Sequence, residues 1–284
     1  MQLSLNLLPY VEPLLKIHQN NNQQPDNLCG PYWISLLLNA YGDLNVTAID
    51  VAIAASTCLP SRGNPTDWLP PNASSLQGPN YDQIPTHTDL TRCGTSITGL
   101  IHATKTLSKE QFCLVPLQTS NWQNGLSTLW QLSQTHTTWQ AIPLLNPHTS
   151  YLWGTTPSPL TILSHMQSNP ISPPSTDWNV GHFNLLIGAI QNKDNTFYTL
   201  LDTYPQIGWQ GLHFQPPEAL SQSLHRPQQT TQGGLALFMS NKWHSEVEKI
   251  IRENGFSISA WDNGSPAGTA GGPTPEPLPG GESY

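Results

Sequence analysis

The sequence predicts an α+β fold in which an N-terminal helical part packs on a C-terminal antiparallel sheet. Two observations carry this. Apolar residues recur with helical period immediately after Cys29, and later apolar runs alternate with turn signals at the spacing of strands. Periodicity of the first kind buries one stripe of a helix, and the second kind builds a hairpin.

The helical pattern opens after the polar, helix-breaking run Gln23-Gln24-Pro25-Asp26-Asn27-Leu28. From Trp33, the residues Leu36, Leu37, Ala40 and Tyr41 fall at i+3, i+4, i+7 and i+8, a core-facing stripe. Pro31 stands just inside the start and Gly42 marks the end, the usual asymmetry of helix termini. Cys29 is thereby placed at the first turn. Unpaired backbone N–H groups and the positive end of the helix dipole there favour thiolate over thiol. Cys29 is therefore the candidate nucleophile.

A nucleophilic cysteine needs a base. The candidate is His182 in Val180-Gly181-His182-Phe183-Asn184, which opens a buried strand running to Ile190. A polar turn, 191–195, leads into a second strand, 196–201, which closes on Asp202. Antiparallel pairing about that turn brings His182 and Asp202 to the same end of the hairpin, within a residue or two of register. Asp202 can hold one imidazole nitrogen while the other faces Cys29, the logic of a base and its orienter.

The residues downstream continue the sheet. A short strand is expected over 209–214, a helix over 218–224 behind Pro216-Pro217, a buried strand over 235–239 behind Gly233-Gly234, and an amphipathic helix over 241–254. His213 and His225 flank these elements and are expected at the surface or in loops.

Taken together, these motifs resemble the papain-like cysteine peptidases, in particular the double-glycine branch that processes bacteriocin leaders. The matching residues are Gln23 six positions before Cys29, the run Cys29-Gly30-Pro31 opening a helix that ends Tyr41-Gly42, Gly94-Thr95-Ser96-Ile97-Thr98-Gly99-Leu100 opening another, Gly181-His182-Phe183, and Leu201-Asp202. His182 follows Cys29 by about the papain spacing. The resemblance spans roughly residues 20 to 240. It implies a papain-like fold and four catalytic roles: attack by Cys29, acid–base transfer by His182, orientation by Asp202, and an oxyanion donor at Gln23, with Gln24 as a shifted alternative.

Two stretches depart from that family. Residues 57–91 and 143–179 are rich in proline and read as long loops or insertions that would lie near the cleft. The expected organisation is a catalytic domain over 1–240, a helix and connector over 241–262, and a disordered Gly/Pro-rich tail over 263–284. Within that tail, Gly271-Gly272 and Gly280-Gly281 read first as ordinary linker glycines; they also repeat the residue pair after which the resembled peptidases cut, and of the two the second is the better candidate for slow release of Glu282-Ser283-Tyr284.

Composition narrows the classes further. The 284 residues are 37% hydrophobic, enough for a full core, and only 10% charged. A net charge of −8 with no basic run argues against nucleic acid as a partner, and no apolar run approaches a membrane span. The N-terminus lacks a basic region and a cleavage site, so the expected location is cytoplasmic. Cys29, Cys58, Cys93 and Cys113 match no zinc spacing and are expected reduced; no metal or cofactor is called for. Cys93 is the rival nucleophile, since Gly94 and a helical pattern follow it, but His87 stands where the glutamine is needed.

The function expected is therefore a cysteine-nucleophile peptidase, or a peptidyl or acyl transferase, acting on a peptide or peptide-like amide. The resemblance implies a peptide substrate, with a Gly-containing leader or precursor as one form of it. The alternatives are a catalytically silent papain-like peptide-binding module and a self-processing protein.

Overall fold

A computed structural model of the chain describes residues 4–21, 23–61, 68–154, 158–169 and 177–265. In chain order its elements are β1 (Ser4–Leu7), α1 (Glu12–Asn21), α2 (Cys29–Gly42), α3 (Ala48–Ala54), β2 (Leu59–Pro60), β3 (Thr86–His87) and α4 (Ile97–Leu107). There follow β4 (Phe112–Gln118), α5 (Trp122–Thr135), β5 (Ile142–Leu145), α6 (Pro159–Met166), β6 (Asn184–Gln191) and β7 (Thr196–Leu201). The last elements are β8 (Leu212–Gln215), α7 (Pro217–His225), β9 (Leu235–Ser240), α8 (His244–Glu253) and β10 (Ser257–Ile258).

The architecture is α+β. A large antiparallel sheet runs in the order β10-β4-β9-β5-β6-β7-β8, with β1 added to the far end of β6. β2 and β3 form a separate parallel pair. Helix α2 is buried over nearly its whole length, from Gly30 to Leu38, and ends where Asp43 takes a left-handed conformation. Its Trp33 is fully buried and donates from Nε1 to the carbonyl of Phe183 at 2.9 Å, which fixes the helix to the entrance of β6. Gly30 makes that approach possible. A Cβ there would lie 2.8 Å from Leu100 Cδ1 and 3.1 Å from Phe183 Cδ2.

The β6–β7 hairpin pairs Gln191 with Thr196 at the turn and Leu185 with Leu201 at the open end, with a bulge between Leu186 and Gly188. Extended by one pair, that register sets Asn184 opposite Asp202, and His182 follows on the same face two residues earlier.

The described part of 143–179 holds regular elements at two of its prolines. Pro143 lies within β5, and α6 starts at Pro159 behind a Ser158 cap. Asn146 donates its N–H to Gly234, so by alternation Pro143 turns away from β9 toward β6, where pairing begins only at Leu144. No ladder bond is lost, so the proline is tolerated. Residues 57–91 hold only β2, β3 and short turns among the described residues. The expected strand over 209–214 is shifted to Leu212–Gln215, and the helix over 241–254 starts as a 3₁₀ turn before α8.

His213 is not a surface residue. It is buried within β8, whereas His225 is exposed at the end of α7. The packed chain extends through Ser265, past the expected start of the tail at 263. The rest of that tail, including Gly271-Gly272 and Gly280-Gly281, lies outside the described residues. No helix among the described residues is long and apolar enough to cross a membrane.

Candidate active site

Cys29 opens α2, and the position before it, Leu28, offers no side-chain cap. The first N–H groups of this helix therefore point out unpaired, beside the partly exposed Cys29 sulfur. Cys29, His182 and Gln24 share one cavity of about 360 Å³.

His182 is held by its backbone. Its N–H donates to Pro147 at 3.0 Å, and its carbonyl accepts from Asn146 Nδ2 at 3.3 Å. Nε2 of the ring lies 3.1 Å from Asp202 Oδ1, which leaves Nδ1 as the nitrogen free to face Cys29, in the same cavity. Trp178 covers the imidazole at 4.6 Å between ring centres, and Tyr204 lies on it at 6.0 Å. With side chains 3% and 1% exposed, His182 and Asp202 form their contact out of water.

Asp202 is oriented from several sides. Asn184 Nδ2 donates to Oδ2 at 2.5 Å, and the Tyr204 N–H donates to Oδ1 at 2.9 Å. Burial alone would lower the His182 pKa. The charges of Asp202 and Cys29 and their hydrogen bonds outweigh it and push it up to about 10. Burial likewise opposes ionisation of Asp202, but His182 and the surrounding donors hold its carboxyl below the ordinary carboxylate range. The arrangement is a carboxylate, a proton-holding imidazole and the Cys29 sulfur in one site.

The two glutamines are separated. Gln23 turns outward and donates from Nε2 to the Ser74 carbonyl at 2.6 Å. Gln24 is buried and lines the cavity, with Oε1 accepting from Thr203 Oγ1 at 2.6 Å. That contact fixes the amide so that Nε2 is the end left over. The cause is local: Leu28 N–H bonds back to Pro25, and Asn27 takes a left-handed φ of 61°. This tight turn brings the nearer glutamine beside Cys29.

Both proline-rich stretches reach the cavity, the first through Trp68 and Leu90, the second through His148, Trp178 and Asn179. The first is tied down by Asp26, which accepts from Ser75 Oγ and from the Leu76 N–H. Cys93 also lines the cavity, but burial and the neighbouring Cys58 push its thiol up to about 11. A wider groove of about 630 Å³ beside the β6–β7 turn holds no cysteine and no histidine. Among the described residues, no group of three or more histidine, cysteine and acidic side chains could hold a metal ion.

Trp178, Asn184 and His213 belong to this constellation without a motif to announce them. Asn184 was legible in principle, since it sits two residues after His182 on the same strand face. No curated protein matches the chain. The model of DUF6885, described as a family of unknown function, matches residues 8–262, and the chain therefore belongs to that family.

Proposed function

We propose that the protein is a papain-like cysteine-nucleophile enzyme, a peptidase or a peptidyl or acyl transferase, acting on a peptide-like amide. The observation that carries this reading is the buried contact of Asp202 Oδ1 with His182 Nε2 in the same cavity as Cys29, which stands at an uncapped helix start.

In this reading Cys29 passes its proton to His182 Nδ1, the sulfur attacks the carbonyl carbon, and the electron pair of the C=O moves onto oxygen. Backbone N–H groups at the start of α2 and Gln24 Nε2 receive the oxyanion. His182 gives its Nδ1 proton to the departing amine, the C–N bond breaks, and a thioester remains on Cys29. Water, or an amine in a transferase, then attacks the thioester while His182 takes its proton, which releases the acyl group and restores the thiol–imidazole pair. Asp202 keeps the imidazole in the orientation that presents Nδ1 throughout. A silent binding module is disfavoured because a retired site has no need to keep the cysteine, the histidine–aspartate pair and a glutamine amide together.

Cysteine mapping tests it. Burial pushes the Cys58, Cys93 and Cys113 thiols up, Cys93 to about 11 and Cys113 to about 12. Iodoacetamide at pH 6 to 7 should modify Cys29 well ahead of the other three, and the His182→Ala variant should lose that preference. Equal modification of all four cysteines in the native chain would overturn the reading.

A further inference from the structure

The wall of the Cys29 cavity is completed by the chain's own C-terminal segment. Trp261 is buried and its Nε1 lies 3.4 Å from Asn146 Oδ1, the same asparagine that holds the His182 carbonyl. Beyond this anchor, Gln232 donates its N–H to the Asp262 carbonyl at 2.6 Å, and Asp262 Oδ1 accepts from the Gly264 N–H at 2.9 Å. Asn263, Gly264 and Ser265 then line the cavity that holds Cys29 and His182.

The fit on both sides is close. Asn263 Nδ2 donates to the Thr95 carbonyl at 2.9 Å, while its Oδ1 is buried with no partner among the described residues. Gly94 has a φ of 108°, and a Cβ on it would collide with Ser265 Oγ. Across the segment, a Cβ on Gly264, at φ 85°, would lie 2.8 Å from Thr231 Cγ2. Glycines at both contact points leave room for the Ser265 and Thr231 side chains and adopt positive φ values that other residues rarely take. The Thr95 carbonyl that Asn263 occupies is a main-chain acceptor on the cavity wall, a group that an extended peptide lying in the same cavity would use.

We propose that the segment Asn263–Ser265 is an intramolecular ligand of the cleft, seated where a peptide substrate binds and competing with it. This rests on the reading of Cys29 as the nucleophile of a peptide site. A partner in cis has a high effective concentration, so the cleft stays mostly covered until the segment is displaced. If the open form is at most about a tenth of the population, access for a peptide is slowed about tenfold or more.

The test compares Cys29 alkylation by an epoxysuccinyl dipeptide and by iodoacetamide in the full chain, in a chain ending at Asp262, and in full-length Gly264→Val. Valine is strained at that positive φ and displaces the segment without touching Trp261. Both variants should react at least about tenfold faster with the dipeptide probe, while the small iodoacetamide changes by less than about twofold. A synthetic peptide of residues 262–284 added to the shortened chain should slow the dipeptide reaction again. Cys29-selective alkylation at equal rates in all three proteins, or slower in the variants, overturns the proposal while leaving the nucleophile intact. Absence of Cys29 selectivity in every form instead overturns the reading beneath it. If the shortened chain fails to fold, Gly264→Val decides alone.

Discussion

His213 directs Nε2 toward Asp202 Oδ2 from 3.8 Å, the carboxylate oxygen that His182 does not use. Gln215 Nε2 stands 3.1 Å from His213 Nδ1 and can only donate there, so the His213 proton sits on Nε2. One carboxylate thus lies between two imidazoles with opposite fates. Burial pulls His213 down to about 4 and keeps it neutral, whereas His182 is pushed up to about 10. The difference follows from distance and partners: His182 has the 3.1 Å contact and Cys29 besides.

On the proposed reading, Asp202 tunes the pair rather than creating it. Cys29→Ala should abolish turnover with the fold retained, while Asp202→Ala should keep a measurable rate. Asp202→Asn can lose more, roughly 10² to 10⁴ in rate, because an amide can trap the wrong imidazole tautomer. Single-turnover rates of the variants, with far-UV circular dichroism to check folding, decide this. A fully active Asp202→Ala would make Asn184, already beside His182, the better orienter.

Acid should destabilise the chain through its buried histidines. Burial lowers His18, His148 and His213 to about 4 from an ordinary 6.5. Between those values the unfolded chain binds more protons than the folded one, so their contribution is complete above pH 6.5 and falls away as pH drops toward 4. His182 acts in the opposite sense: its raised value gives stability that is full below 6.5 and lost as pH climbs through about 10. Urea midpoints should thus peak near neutral pH and decline toward pH 5. In His18→Gln, which retains a partner for the Tyr32 hydroxyl, the acid decline should be shallower. A midpoint that is flat from pH 7.5 to 5 would contradict the burial of these rings.

Trp33 couples the Cys29 helix to the His182 strand. Trp33→Ala should cost about 3–5 kcal/mol by opening a cavity, and Trp33→Phe about 1–3 kcal/mol, chiefly by leaving the Phe183 carbonyl without its donor. Denaturant titration measures both. In the milder variant Cys29 alkylation should also slow, since Phe183 adjoins His182; an unchanged alkylation rate would mean that β6 keeps its place without this contact.

The parts legible in the sequence were those carried by periodicity and by termini. The stripe from Trp33 to Tyr41 and the paired runs about 191–195 have strong local signals, so α2, β6 and β7 could be drawn, and with them the approach of His182 to Asp202. β5 was hidden because Pro143 argues against a strand unless the pairing side of that residue is known, and that depends on β9, far away in sequence. Ser158-Pro159 did carry a capping signal for α6. His213 was obscure for a different reason. A lone histidine in a short strand has no local feature to distinguish a solvated ring from one packed on Asp202.

The same limit separates the two glutamines, and it yields the sharpest test of the site. Counting residues back from Cys29 favours Gln23, but the turn at Pro25–Leu28 and the left-handed Asn27 decide which side chain faces the cavity, and they favour Gln24. Thr203 holds Gln24 Oε1, so Nε2 is available to a developing oxyanion, while Gln23 Nε2 is engaged by Ser74. Removing a single oxyanion donor costs about 10²- to 10³-fold in kcat. Gln24→Ala should show a loss of that order beside a stability cost of about 1–3 kcal/mol for the buried Thr203 hydroxyl, and Gln23→Ala should stay within about twofold of the parent. Thr203→Val should fall between them, because it frees the amide to rotate without removing it. Steady-state kinetics on any turned-over peptide read all three, and a large loss in Gln23→Ala with none in Gln24→Ala would reverse the assignment.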